Sequence, residues 1–168
     1  LKPLFTTNAR VINVLSGGMY SQALDVDDLE NKRGSYSGSI AYAKAKRALM
    51  IVTEEWAKQW AKEGISVHAM HPGWADTAGV VSALPAFYKL TKPILRNADQ
   101  GADTIVWLAC AQEVTQTSGL FWLDRKPRPT HLNAKTHETP LQRAHLMQTL
   151  SIYQKRFLDS KVQIKRVV

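Results

Sequence analysis

The stretch that most constrains this chain is Val11-Ile-Asn-Val-Leu15, a β-branched apolar run that closes on Ser16-Gly-Gly18. A strand with one wet face alternates apolar and polar residues. A near-continuous run is the pattern of a strand covered on both faces, as in a parallel sheet. The Ser-Gly-Gly that follows ends it in a turn. Ser16 therefore falls at the strand's carboxyl edge, where open α/β sheets bind ligands; serines also start turns for conformational reasons alone. A second run, Ile65-Ser-Val-His-Ala-Met70, leads into His71-Pro-Gly-Trp-Ala-Asp-Thr77. A Pro-Gly at that edge lets the backbone approach a bound ligand closely, and Thr77 adds a hydroxyl. Leu120-Phe-Trp-Leu123 reads as the last strand.

Between the first two strands a helix is expected over about residues 39–63, stopped by Gly64. Ala45, Leu49, Val52, Trp56 and Trp60 recur at spacings of three and four and give it one apolar face. The two tryptophans there read as core or subunit contacts. Tyr42 and Lys46 stand one turn apart and project from the same side. A phenol with a pKa of about 10 is a poor proton donor or acceptor near neutrality. An ammonium group held beside it stabilises the phenolate and brings that value towards the working range. A Tyr and a Lys four apart are common on helices, so an ordinary exposed pair is the competing reading.

A strand ending in Ser16, then Tyr-x-x-x-Lys on a helix, then a strand ending in Pro-Gly-x-x-x-Thr resembles the short-chain dehydrogenase/reductase superfamily. The long interval from Ser16 to Tyr42 is similar to its retinol-dehydrogenase-type branch. Gln100-Gly-Ala-Asp-Thr-Ile-Val-Trp-Leu108, Ser118-Gly-Leu-Phe, and Asp124-Arg with Thr130-His-Leu132 extend the likeness to about Leu1–Leu132. The resemblance implies the C-terminal part of a Rossmann-type, doubly wound parallel α/β sheet, with strands at about 10–15, 65–70 and 119–123. It implies an NAD- or NADP-dependent oxidoreductase acting on a hydroxyl/carbonyl pair. Tyr42 would be the general acid/base, Ser16 would hydrogen-bond the reacting oxygen, and Lys46 would tune the tyrosine and bind the nicotinamide ribose. Pro72, Gly73 and Thr77 would border the nicotinamide. Residues 78–95, apolar but broken by Pro85 and Pro93, would be a flap over a lipophilic substrate; the bland alternative is a helix packed on the sheet edge.

The family's glycine-rich pyrophosphate turn, Gly-x-x-x-Gly-x-Gly, does not occur in these residues. Gly17 and Gly18 follow a strand, but the acidic stretch Asp25 to Glu30 comes next instead of the required helix. Leu-Lys-Pro-Leu-Phe, at the start, is similar to the tail of the family's preceding helix, which carries its fourth catalytic residue, an asparagine; Asn8 and Asn13 do not match it. The chain is thus expected to be a partial Rossmann domain over residues 1–124, without the dinucleotide-binding half. Alone, it is expected to be marginally stable, inactive and a weak dinucleotide binder. Three parallel strands would leave one apolar edge open to aggregation. The parent's substrate would be a small alcohol or carbonyl compound, and the helix bearing Tyr42 would serve a homodimer interface.

Charge divides sharply. Residues 1–124 contain twelve Lys/Arg and twelve Asp/Glu, whereas residues 125–168 contain ten and two, so the net charge of +8 sits in the tail. A basic extension over residues 125–168, with a helix at about 140–158, follows. It is expected to be a peripheral helix with a solvated end; acidic lipid or nucleic acid would be its partners otherwise. Interleaved aromatics of a single-strand binder are lacking, so nucleic acid is not expected. Residues 99–111 read as a helix with Ile105, Val106, Leu108 and Ala109 inside, Trp107 on its flank, and Cys110 buried. One cysteine excludes an internal disulfide framework and fits a reducing, cytoplasmic setting. His131, His137 and His145 lack compact metal-ligand spacing. No stretch is apolar enough to cross a bilayer, and membrane association is not expected. The competing function is a non-catalytic binding protein that retains the scaffold and acts through the basic tail.

Overall fold

The apolar runs form strands in a computed structural model that describes residues 2–76, 89 and 92–165. β1 (Arg10–Val14), β2 (Ser66–Met70) and β3 (Phe121–Leu123) are parallel, in the order β1-β2-β3. The register sets Arg10 beside Ser66 and Ala69 beside Phe121. The ladder continues past β1, where the Leu15 N–H donates to the Met70 carbonyl at 2.7 Å. Sidedness follows from alternation along β2. Val67 and Ala69 face one layer, and Met70 packs with Leu108 in the other. These helices and this largely parallel sheet are the C-terminal part of a Rossmann-type α/β fold.

A fourth strand, β4 (Lys126–Arg128), pairs antiparallel with β3. Lys-Pro-Arg has no strand signature, and the sequence reading missed it. The cause is the turn: Asp124 and Arg125 adopt φ of 54° and 56°, the double left-handed geometry that folds two-residue hairpins. Arg125 is held in it by an ion pair with Asp103 and by its N–H donating to Thr104 Oγ1 at 3.3 Å. Pro127, which has no N–H, sits on this outer strand, where none is required.

The helix α1 (Gly38–Trp60) runs on through a 3-10 turn, Ala61–Glu63, and stops at Gly64. Its buried positions differ from the expected stripe: Ala43, Arg47, Met50, Ile51, Val52, Thr53 and Ala57 are buried, and Ala45 is exposed. The reason is that α1 is covered along two lines. Met50 and Ala57 meet the sheet, while Ile51 and Val52 meet the C-terminal helix. Trp56 and Trp60 stack with centroids 4.9 Å apart and are half-buried.

On the other face lies α2 (Ala98–Cys110), started by an Asn97–Gln100 capping box. Here too the expected facing is corrected. Trp107 turns inward against Trp122, whereas Val106, Ala109 and Cys110 are exposed. Trp122 needs a partner at that position, and a bulky indole on α2 supplies it. The expected buried thiol is therefore a surface one.

The C-terminal helix α3 (Pro140–Lys165) is longer than expected and is joined firmly to α1 at its start. Leu146 is fully buried against Leu24, Ile51 and Val52. Arg143 pairs with Glu54 and Glu55 of α1 and with Glu138. Among the described residues, no helix is long and apolar enough to cross a membrane.

Candidate active site

β1 ends at Val14, and the chain turns at Ser16 into a 3-10 helix, Gly17–Ser21. Ser16 is its N-cap, with extended backbone and its Oγ accepting the Gly18 N–H at 3.2 Å. The cap satisfies a free amide and so fixes the hydroxyl. The Met19 N–H donates to the Ser16 carbonyl at 3.1 Å, closing the turn. A Cβ on Gly17 would lie 3.1 Å from His71 Nε2, so the imidazole packs where little more than glycine fits.

Tyr42 stands in the first turns of α1, half exposed, and Lys46 follows one turn on. The Lys46 Nζ lies 5.4 Å from the Tyr42 ring centroid and donates to the carbonyl of Val14 at 2.9 Å. Helix and serine strand are thus tied at the strand's carboxyl end. A point above Gly18 lies 3.6 Å from Ser16 Oγ and 3.8 Å from the Cβ of Ala43, the neighbour of Tyr42. Ser16, Tyr42 and Lys46 therefore gather at one end of the sheet.

Pro72 and Gly73 follow β2 at that same end. Gly73 has φ of 78°, and a Cβ there would come within 2.6 Å of the Arg96 guanidinium. The close approach expected of a ligand at this glycine is made, on one side, by arginine. Arg96 is anchored by two bonds to the Asp124 carboxylate, at 2.6 and 3.0 Å, and donates to the Pro72 carbonyl at 3.2 Å. Its hydrogen bonding holds the Asp124 carboxyl below the usual range. Thr77 and most of the expected flap, residues 78–95, lie outside the described residues.

His71 Nδ1 accepts the Gly73 N–H at 3.2 Å. Burial first, and then the Arg96 charge, hold His71 below the ordinary imidazole value; with Nδ1 accepting, the neutral form of the ring carries its proton on Nε2. His71, Arg96 and the fully buried Arg47 were not singled out from sequence. His71 had the signal of immediate contiguity with Pro72-Gly73. Arg47 had another, since it stands at helical spacing between the apolar Ala43 and Met50. Arg96 carried none, because its partner lies across the fold. Among the described residues no His/Cys/Asp/Glu group could hold a metal ion.

No protein-family model matches the chain. It is 44% identical over 150 residues to dehydrogenase/reductase SDR family member 12 of Bos taurus, covering 88% of this chain and 47% of that protein. To retinol dehydrogenase 12 of Homo sapiens it is 30% identical over 133 residues, covering 78% and 42%. A crystal structure of a Mycobacterium paratuberculosis protein matches with a TM-score of 0.61 at 23% identity, over 87% of this chain and 49% of that one. A Serratia marcescens short-chain dehydrogenase/reductase variant matches at 0.53 and 19%, over 71% and 45%. The solved structures show the fold, and the sequence relatives show the family. The chain spans about half the length of the curated relatives it matches. Over the part it spans, this chain belongs to the short-chain dehydrogenase/reductase superfamily.

Proposed function

We propose that this chain carries the proton-transfer half of a nicotinamide-dependent oxidoreductase acting on the hydroxyl/carbonyl pair of a small lipophilic molecule. One observation supports it above the others: Lys46, beside Tyr42, is bonded to the end of the strand that leads to Ser16. In this reading Tyr42 donates a proton to the carbonyl oxygen in reduction and accepts one from the alcohol in oxidation. Ser16 hydrogen-bonds the same oxygen and keeps it in line, while the Lys46 ammonium stabilises the negative charge that proton donation leaves on the phenol.

The residues present fit the nicotinamide end of a dinucleotide. An ammonium beside a half-exposed phenol offers donors to ribose hydroxyls, and Pro72, Gly73 and Thr77 would border the ring. NAD or NADP, when bound, supplies or takes the hydride. The rest of that group requires residues that this chain does not contain, so we expect the chain alone to be inactive. A small alcohol or carbonyl compound is the partner in this reading; a relative's name, retinol dehydrogenase 12, supports a lipophilic one. A homodimer of a longer protein through α1 and a reducing, cytoplasmic setting belong to the same proposal.

The test uses a longer protein that includes this chain and the dinucleotide-binding half. Oxidation of NADH and NADPH is followed with retinal and a series of aliphatic aldehydes. Tyr42→Phe is expected to lower turnover by about 10²–10⁴-fold while cofactor binding persists. Undiminished turnover in that variant would refute the acid/base role.

A further inference from the structure

We infer that Arg47 is the positioning residue of the Ser16 turn, which the chain after β4 holds a second time through Tyr20. The inference rests on the proposed role of Ser16 and goes beyond it.

Arg47 immediately follows Lys46 on α1 but points inward and has no exposure to solvent. Its Nε and Nη2 both donate to one acceptor, the Met19 carbonyl, at 3.1 and 2.9 Å. Met19 in turn donates its N–H to the Ser16 carbonyl. The guanidinium thus grips the turn three residues after Ser16, and the turn's own hydrogen bond carries that grip to Ser16. A buried guanidinium is expensive, and an apolar side chain of similar volume would cover the sheet at less cost. A residue retained on those terms, with two donors on one carbonyl, fixes that carbonyl.

The charge is compensated from α1 itself and from the far end of the chain. Burial acts against the Arg47 charge, and Glu138 and then Glu54 are the largest charges favouring it. The Glu138 side chain is 2% exposed and pairs with Arg143. Its Oε2, 3.6 Å from His131 Nε2, makes no hydrogen bond, and neither does Arg47 Nη1. Both orphaned atoms are buried, so each depends on the field of its neighbours. His131 Nδ1 meets Thr136 Oγ1 at 3.0 Å, which braces the segment. Pro129, directly after β4, holds the turn a second time: Tyr20 donates its hydroxyl to the Pro129 carbonyl at 2.6 Å. Met19 is gripped from α1 and Tyr20 from Pro129. Displacing a reacting group by about 1 Å can cost about 10²-fold in rate, which gives such a clamp its purpose.

The test has two arms. In the full chain, amide hydrogen exchange is compared for residues 17–21 and for residues 50–57 in Arg47→Met, Arg47→Lys and Glu138→Gln. Arg47→Met should speed exchange at residues 17–21 by about tenfold or more, leaving residues 50–57 nearly unchanged, because only the turn is released. Arg47→Lys should restore part of the protection, and Glu138→Gln should loosen the turn to a smaller degree. Unchanged exchange at 17–21, or equal loosening of both regions, would overturn the clamp; should Arg47→Met not fold, Glu138→Gln decides by the same criterion. In the longer protein with NADPH and retinal, Arg47→Met should lower kcat by about tenfold while KM for NADPH stays within about twofold. Unchanged kcat in a variant whose turn has loosened would also overturn the inference. A parent protein that turns nothing over would sink the role of Ser16 instead, and the exchange arm would still decide the clamp.

Discussion

Lys46 donates to the carbonyl of Val14 at 2.9 Å while its ammonium stays 5.4 Å from the Tyr42 ring. One cation therefore joins the helix that bears the phenol to the strand that leads to the serine. Lys46→Met removes both the charge and the tie. In a longer protein with the cofactor-binding half, turnover should fall by about 10²-fold or more. KM for the dinucleotide should rise as well, read by steady-state kinetics with each cofactor varied. Stability should change little, since this hydrogen bond is at the surface. A variant with normal kcat and KM would remove Lys46 from the site.

Stability should decline on the acid side through histidine. Burial is the leading cause that holds His68, His71 and His131 below the ordinary imidazole value. In each case the unfolded chain binds its proton more readily than the folded one. The stabilisation is complete above the unfolded pKa of about 6.5 and is lost as pH falls through the lower folded values. Urea midpoints taken from pH 8 to pH 5 should be flat at first and then drop. His71→Asn, whose Oδ1 can still accept the Gly73 N–H, should make that drop shallower. An unchanged slope would contradict the assignment for His71.

Leu146 is the test of the C-terminal helix. It has no exposure and packs against Leu24, Ile51 and Val52. Leu146→Ala should cost about 2–5 kcal/mol in urea unfolding. Leu141→Ala, at a side chain 82% exposed in the same helix, should change stability by less than about 0.5 kcal/mol. Equal effects would mean that α3 contributes nothing to the core.

Gly73 carries two constraints at once. Ala there must adopt a left-handed backbone and also displace an Arg96 guanidinium fixed by Asp124. The backbone alone costs about 1–2 kcal/mol. Gly73→Ala should lose at least that in urea, and the double variant with Arg96→Ala should recover the steric part only. Full recovery would show that the backbone constraint is negligible.

The strands and the helix between them were readable because their patterns are local. Val11 to Leu15 announces a covered strand, and Gly64 announces the end of a helix. Ser16, Tyr42 and Lys46 could be singled out as candidates for the same reason, since each belongs to a short motif. β4 was not, because Lys126-Pro-Arg acquires strand geometry only from the Asp124-Arg125 turn and its Asp103 anchor. Arg47 was missed because an arginine on a helix normally belongs to solvent, and the carbonyl that draws it inward belongs to Met19, far away in sequence. Ala45 and Cys110 failed the other way: small or apolar residues were assigned inward on helices whose second faces were still unknown.

The parallel pairing of β1 with β2 has a consequence for how the molecule assembles. Arg10 meets Ser66 only after the whole of α1 and its flanking connections have been closed into a loop. Such non-local contacts form late and slow folding, whereas helical contacts form early. Tyr42 and Lys46 are set side by side as soon as α1 winds up. Ser16 joins them only when the first crossover is complete. Two members of the constellation are thus a local product of one helix, and the third has to wait for topology.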